Sequence, residues 1–314
     1  MIEMVNVDVN CERVTLEMSD GYDICIMAWK GYTGANALVI SHGMKEYALR
    51  YDEVARFFAL KGFAVFAYDH RGHGVEAKSR GELGFLAEKN GFCRVVEDLC
   101  EVVRYVKGRC PSGTLALLGH SFGSFVVQGY IERYGSEIDV CLLSGSAGPR
   151  PILVGAGKCL AWTLRRVCGK RSRLAFMEWA VFGNYNRRIE SPKSKNSWLC
   201  SDEDVVARYD SDELCAFVPT VGFFYDMFCG MTMVHKVENM KNIPKDLPVF
   251  LFSGTEDPVG GYGTSLKELC DCYREAGIEN VELKLYDGGR HEMLNEKCKL
   301  DVCEDMLKFI AGRV

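Results

Sequence analysis

The sequence has no apolar run approaching the about 20 residues of a membrane-spanning helix. Its start, Met1-Ile2-Glu3-Met4-Val5-Asn6-Val7-Asp8, has neither the basic opening nor the apolar core of a secretory leader. It has no Cys-x-x-Cys pair, although it holds 15 cysteines. Several of these, such as Cys25 and Cys141, sit inside apolar runs. A cytoplasmic protein whose reduced thiols act as small buried hydrophobes is expected, rather than a disulfide framework. A formal net charge of -5 leaves no basic surplus, so no nucleic-acid partner is expected. There is no internal repeat and no low-complexity linker.

What is present is a chain of 314 residues, 48% hydrophobic, long enough for one large core or a core with an inserted lid. The first pattern is a hairpin: residues 13–18 and 22–29 flank the turn Asp20-Gly21. Short apolar runs then alternate with helical stretches. Strands are predicted at 37–40, 63–68, 114–118 and 140–143, and helices at 51–60, 92–106 and 122–134. Runs of this kind imply a parallel sheet covered on both faces. The alternation stops near Gly148 and resumes with strand 248–253, helix 263–276, strand 281–286 and helix 297–310. The predicted class is α/β. The expected organisation is a core of residues 1–148 and 236–314, interrupted by a helical cap at 149–235.

Gly119-His120-Ser121-Phe122-Gly123 fits G-x-S-x-G and lies between an apolar strand and a helical pattern. That context suits a nucleophile. A serine on a tight strand-to-helix turn projects outward, the two glycines allow strand and helix to approach, and the helix N-terminus supplies free N–H groups. Serine needs an adjacent base. Of the six histidines, only His235 and His291 follow Ser121. His291 lies in the loop Asp287-Gly288-Gly289-Arg290-His291-Glu292, directly after a strand, where α/β sheets place reactive groups. His235 reads as a packing residue of the insertion. The acid should follow another strand end, and Ser253-Gly254-Thr255-Glu256-Asp257-Pro258 does so. Glu256 and Asp257 both qualify by chemistry, and Asp257 is preferred.

Acyl transfer also needs donors for a developing oxyanion. The Phe122 N–H is one. The other should come from the loop Ser41-His42-Gly43-Met44-Lys45-Glu46, with the Met44 N–H as donor, Gly43 allowing the turn and His42 bracing it. Asp69-His70-Arg71-Gly72-His73-Gly74 offers ligand-type atoms but reads as a structural loop. Neither a metal nor a cofactor is expected.

The segments Ser41–Glu46, Tyr68–Gly74, Gly119–Gly123, Ser253–Pro258 and Gly289–Glu292 together resemble the monoacylglycerol lipase and lysophospholipase-like branch of the α/β-hydrolases, grouped with the serine aminopeptidases. The resemblance implies the α/β-hydrolase fold, a triad of Ser121, Asp257 and His291, and hydrolysis of lipid-like esters. It strengthens Asp257 over Glu256. Residues 210–217 resemble a cap pattern of bacterial members, with Ala216 where glycine is expected. The grouping also covers peptidases, so an aminopeptidase or amidase is the competing reading, and a non-enzymatic binding protein is a third. An exopeptidase would need a cap carboxylate for the substrate ammonium, and Glu178, Glu190 and Glu213 are candidates.

Most of the insertion's aromatic residues should pack it onto the core, with the remainder lining an acyl pocket. Residues 150–173 hold Arg150, Lys158, Arg165, Arg166, Lys170, Arg171 and Arg173, with Trp162 and no acidic residue. Leu160, Leu164 and Val167 fall on another side of the same helix. Peripheral contact with an anionic membrane is expected through this segment, against the alternative of a solvated cap face.

Overall fold

The computed structural model describes residues 9–30 and 36–312. Residues 1–8, on which the reading of a missing leader rested, lie outside them. β1 (Cys11–Glu17) and β2 (Asp23–Trp29) form the predicted hairpin, paired antiparallel from Cys11 opposite Trp29 to Glu17 opposite Asp23. Gly21 makes the turn at φ 79°, a left-handed value that costs glycine little. The remaining strands are β3 (Ala37–Ser41), β4 (Ala64–Tyr68), β5 (Leu115–His120), β6 (Val140–Ser144), β7 (Val249–Gly254) and β8 (Val281–Tyr286). They form one eight-stranded sheet of order β1-β2-β4-β3-β5-β6-β7-β8. β2 runs antiparallel to both neighbours, and every other pair is parallel.

The helices are α1 (Asp52–Leu60), α2 (Gly74–Ser79), α3 (Gly91–Lys107), α4 (Phe122–Tyr134), α5 (Pro151–Val167), α6 (Ala175–Phe182), α7 (Glu203–Ser211), α8 (Val221–Val234), α9 (Val237–Met240), α10 (Thr264–Glu275) and α11 (Lys299–Ala311). The apolar runs become strands because they are buried on both faces. Leu38, Ile40, Val65 and Leu118 pack with Phe58 of α1 and Met306 of α11. Val39, Phe66 and Leu117, one residue out of phase, pack with Leu99 of α3, Tyr130 of α4 and Leu269 of α10. Each such side chain contributes about 1.5–3 kcal/mol by leaving water. The outer strand β8 alternates instead, with Glu282 exposed and Val281 buried. Of the helices outside the insertion, α2 and α9 were not anticipated: at six and four residues, they are too short to show a period.

Helices α5 to α8 occupy the interruption between β6 and β7. α5 packs along α8, which also packs on α3 and α4. Gly157 makes the first contact possible: a Cβ there would come within 2.5 Å of the Phe228 ring. Capping starts two of these helices. Asp202 accepts the Asp204 N–H at 3.0 Å, and Thr220 accepts that of Phe223 at 3.1 Å. Val167, expected on the apolar side of α5, is 78% exposed. Ala216 has no left-handed φ, so the turn after α7 takes alanine without strain.

Candidate active site

Ser121 stands between β5 and α4 at φ 52° and ψ -119°, a conformation rare outside glycine. The surrounding structure holds it there. Its N–H donates to the Ser144 carbonyl at 2.9 Å, and its carbonyl accepts from the N–H and hydroxyl of Ser124 at 2.9 and 2.6 Å. Both flanking glycines meet backbone. A Cβ on Gly119 would lie 2.6 Å from the Gly123 carbonyl oxygen, and one on Gly123 would overlap the Ser41 carbonyl.

Asp257 and His291 come together across 34 residues of sequence. His291 Nδ1 lies 3.0 Å from Asp257 Oδ1, and both side chains are buried. Asp257 also accepts from the Ser253 hydroxyl at 2.6 Å and the Val259 N–H at 2.9 Å. Burial opposes charge on both members. Their mutual attraction outweighs it, holding Asp257 below the ordinary aspartate value and His291 above the ordinary imidazole value. Glu256, the other carboxylate of that loop, is exposed. His291 Nε2 is buried without a hydrogen-bond partner, so no bond to Ser121 is made. Such bonds are often long before substrate binds.

The loop after β3 lies against Ser121: a Cβ on Gly43 would come within 3.1 Å of Ser121 Cβ. His42 braces it. Its Nε2 accepts the His70 N–H at 3.0 Å, which leaves Nδ1 to donate to the Gly43 carbonyl at 2.7 Å. Met44 and Phe122 line one cavity with Ser121 and His291. The Phe122 N–H, first in α4, has no carbonyl partner within its own helix. In the neighbouring loop, Asp69 accepts the Ala48 N–H at 2.7 Å, and His73 stacks edge-on with Phe217 and Phe223. His235 packs against Phe125, with Nε2 3.1 Å from the Ala147 carbonyl.

The cavity measures about 340 Å³ and lies between the sheet's C-terminal edge and the helical insertion. Its walls are largely apolar, with Leu153, Leu160, Met177, Val181, Phe228 and Met231 among them. The model of the family described as serine aminopeptidase, S33, matches residues 34–298. The chain belongs to this family of serine hydrolases. The monoglyceride lipase of Mus musculus is 34% identical over 287 residues, covering 88% of this chain and 82% of that protein. The monoacylglycerol lipase of Mycolicibacterium smegmatis is 27% identical, covering 88% of each chain. Among solved structures, a thermostable carboxyl esterase from Bacillus coagulans, in complex with glycerol, superposes with a TM-score of 0.90. It is 26% identical, over 96% of this chain and 98% of that one.

In this S33-family chain, the helical insertion contributes features that sequence reasoning did not assign. Trp198 lies with its ring centroid 5.0 Å from that of His291 and stacks on Phe182 at 5.7 Å. Phe182, Tyr185, Trp198, Tyr209 and Phe228 are the insertion aromatics that line the cavity. Phe223 and Phe224 are fully buried in packing, while Phe176 and Trp179 stack on each other at the surface. Of the three cap carboxylates considered above, only Glu178 faces the cavity. It is paired with Lys45, and Lys195 lies 3.3 Å from its other oxygen. Glu190 is exposed, and exposed Glu213 pairs with Lys78. Also unassigned from sequence was a buried group beside His291, formed by Glu46, Arg50, His120 and Glu292. The only signal for it was a concentration of charge, Lys45, Glu46 and Arg50, right after a buried strand.

Proposed function

We propose that this enzyme hydrolyses carboxylic esters of lipid-like substrates, of monoacylglycerol or lysophospholipid type, through an acyl-enzyme on Ser121. His291 accepts the serine proton at Nε2 as the oxygen attacks the ester carbonyl. Asp257 holds the Nδ1–H tautomer and stabilises the imidazolium without taking the proton. The Met44 and Phe122 N–H groups receive the oxyanion. His291 then protonates the leaving alcohol, and water repeats the sequence to release the acid. No cofactor enters this scheme.

The observation that carries the reading is the apolar cavity whose wall includes both Ser121 and His291. It offers an acyl chain a dry site beside the reacting groups. The named activities of the Mus musculus and Mycolicibacterium smegmatis relatives support the substrate class, and the glycerol bound to the Bacillus coagulans esterase supports a glycerol-like alcohol. The aminopeptidase reading is weaker here. Of the cavity carboxylates, Glu178 and Glu292 are paired with Lys45 and Arg50, and Glu46, which shares Arg50, is buried against Gly43 and His120 rather than presented from the cap to a substrate ammonium. A panel of monoacylglycerols, lysophospholipids, p-nitrophenyl esters and aminoacyl anilides tests the choice. Esters with a medium or long acyl chain should turn over fastest, and preference for the anilides would overturn the proposal.

We further infer that the cap, residues 149–235, meets anionic lipid surfaces. Lys170 and Arg171 are taken up by Glu88 of the core, which reduces the predicted basic segment. Arg165 and Arg166 remain on α5, stacked over Tyr225 and Trp162 at 4.3 and 5.2 Å. Ile152, Leu153 and Trp162 of α5 and Phe176 and Trp179 of α6 are exposed, on two of the helices that line the cavity. Basic and aromatic side chains together suit a headgroup boundary. Among the described residues no helix is long and apolar enough to cross a membrane. The fifteen cysteines are all unpaired, which fits a reducing, cytoplasmic compartment.

A further inference from the structure

Beside the imidazole of His291, the loop after β3, the end of β5 and the loop after β8 bring charge together in the protein interior. Arg50 donates to both oxygens of Glu292, at 2.9 and 2.8 Å. Its guanidinium also lies 3.3 Å from Glu46. His120, the residue before Ser121, has Nε2 3.5 Å from Glu46 Oε1 and its ring centroid 4.9 Å from that of His291. Glu46, His120 and Glu292 each offer a ligand-type atom within 4.8 Å of the others, and the cation both carboxylates share is Arg50. All these side chains are buried or nearly so. The formal count is two carboxylates against one guanidinium, a surplus of one negative charge.

A buried surplus charge is costly unless something meets it. Three groups could do so: a proton on Glu46, a proton on His120, or the imidazolium of His291. Burial holds His120 down to about 3, so it stays neutral. Burial also pushes Glu46 up to about 7, with Arg50 opposing and Glu292 adding to the rise. Glu292 is held at about 2, because Arg50 outweighs its burial. The surplus therefore resides on Glu46 and is exchanged with a proton near neutrality. The other groups facing Glu46 are the Tyr51 hydroxyl from its own turn and, from the cap, Tyr209 and Cys215, all with pKa raised chiefly by burial. They stay neutral and supply no countercharge; the Tyr51 hydroxyl lowers the Glu46 pKa as a hydrogen-bond donor, and burial outweighs it.

We propose that Glu46 is a positioning residue for His291, a second buried carboxylate that stabilises the imidazolium formed during turnover, beside Asp257. It touches neither the transferred proton nor the reacting atoms in this account. It acts through His291, and the inference rests on the Ser121 mechanism above. Glu46 also packs against Gly43 and so supports the oxyanion loop. A purely structural role and an electrostatic one differ in their pH dependence. When Glu46 carries a proton, a glutamine in its place is nearly equivalent. Once Glu46 ionises, only the wild type gains the attraction.

The test compares wild type, Glu46→Gln and Glu46→Asp on a short soluble p-nitrophenyl ester from pH 5.5 to 8.5. The ratio of wild-type kcat to that of Glu46→Gln should be near 1 at pH 5.5. It should rise to about tenfold at pH 8.5, the equivalent of one unit of imidazole pKa. KM should stay within about twofold, and Glu46→Asp should recover part of the loss, since both effects act on the charged state alone. In parallel, NMR titration of labelled histidines, with His291 assigned by its substitution, should show a lower His291 pKa in Glu46→Gln. A kcat ratio constant with pH, or an unchanged His291 pKa, would overturn the proposal. The titration reads Glu46 even if the ester panel were to fail, so the two readings stand or fall separately.

Discussion

Replacing Asp257 by asparagine removes one charge from the site and little else, and the hydrogen bonds say why. The Val259 N–H and His291 Nδ1 both address Oδ1, at 2.9 and 3.0 Å. In Asp257→Asn the amide oxygen must stay at that position, because an NH2 there would face the Val259 donor. The amide nitrogen then points at the Ser253 hydroxyl, which can accept. His291 keeps its tautomer, and the loss falls on stabilisation of the imidazolium. Charges about 4 Å apart at an effective dielectric constant of about 20 interact by about 4 kcal/mol. The expected fall in kcat is therefore about a thousandfold, with KM nearly unchanged. The pH profile carries a second signature. Asp257 helps hold the His291 pKa above the ordinary imidazole value, so the charge-free variant should bind its proton less tightly. The acid limb of kcat should then move to lower pH while the plateau falls. Glu256→Gln, at an exposed position, should leave both within about twofold of wild type. The assay is p-nitrophenyl ester hydrolysis across pH 5 to 9. An equal loss in Glu256→Gln, or an acid limb that stays in place in Asp257→Asn, would refute the reasoning.

Gly123→Ala should cost more than about 3 kcal/mol in urea unfolding, because its Cβ would overlap the rigid Ser41 backbone; unchanged stability would contradict the turn's register. Glu132→Gln should raise the thermal midpoint at pH 8.5 but barely at pH 5.5. Burial pushes Glu132 up to about 9, so the folded state binds a proton that the unfolded chain loses near pH 4.5, and stability declines as pH rises through that window. Equal melting shifts at both pH values would count against it. Co-sedimentation with anionic vesicles should weaken with salt and weaken further when Arg165 and Arg166 become glutamate, each charge contributing on the order of 1 kcal/mol, while soluble-ester activity stays near normal. Failure of wild type to bind at low salt, or equal loss of soluble-ester activity in the variant, would remove the membrane role.

The sheet was legible because its central strands are buried on both faces, and burial on both faces writes continuous apolar runs such as Ala37-Leu38-Val39-Ile40. The glycines of the Ser121 turn were legible for the same kind of reason, since only a missing Cβ allows that approach. Pairing of His291 with Asp257 was reachable because each follows a parallel strand, and neighbouring strands β7 and β8 end side by side. What was not legible depends on side-chain direction between distant segments. Nothing in the local pattern separates Glu178, which faces the cavity, from Glu190 and Glu213, which face solvent. The Glu46, Arg50, His120 and Glu292 group needs three distant segments to meet, and no single spacing records it. Trp198 reaches His291 only because the insertion folds back over the sheet edge.

The central claim is that Ser121 carries the acyl group. Intact-mass analysis after exposure to a fluorophosphonate tests it most directly, because the activated hydroxyl should attack phosphorus and expel fluoride. Wild type should gain one adduct, mapped by peptide fragmentation to the segment Gly119–Gly123, and lose ester turnover in proportion. Ser121→Ala should show neither labelling nor turnover while keeping the wild-type fold by circular dichroism. An adduct of undiminished yield on the folded Ser121→Ala protein would contradict the account.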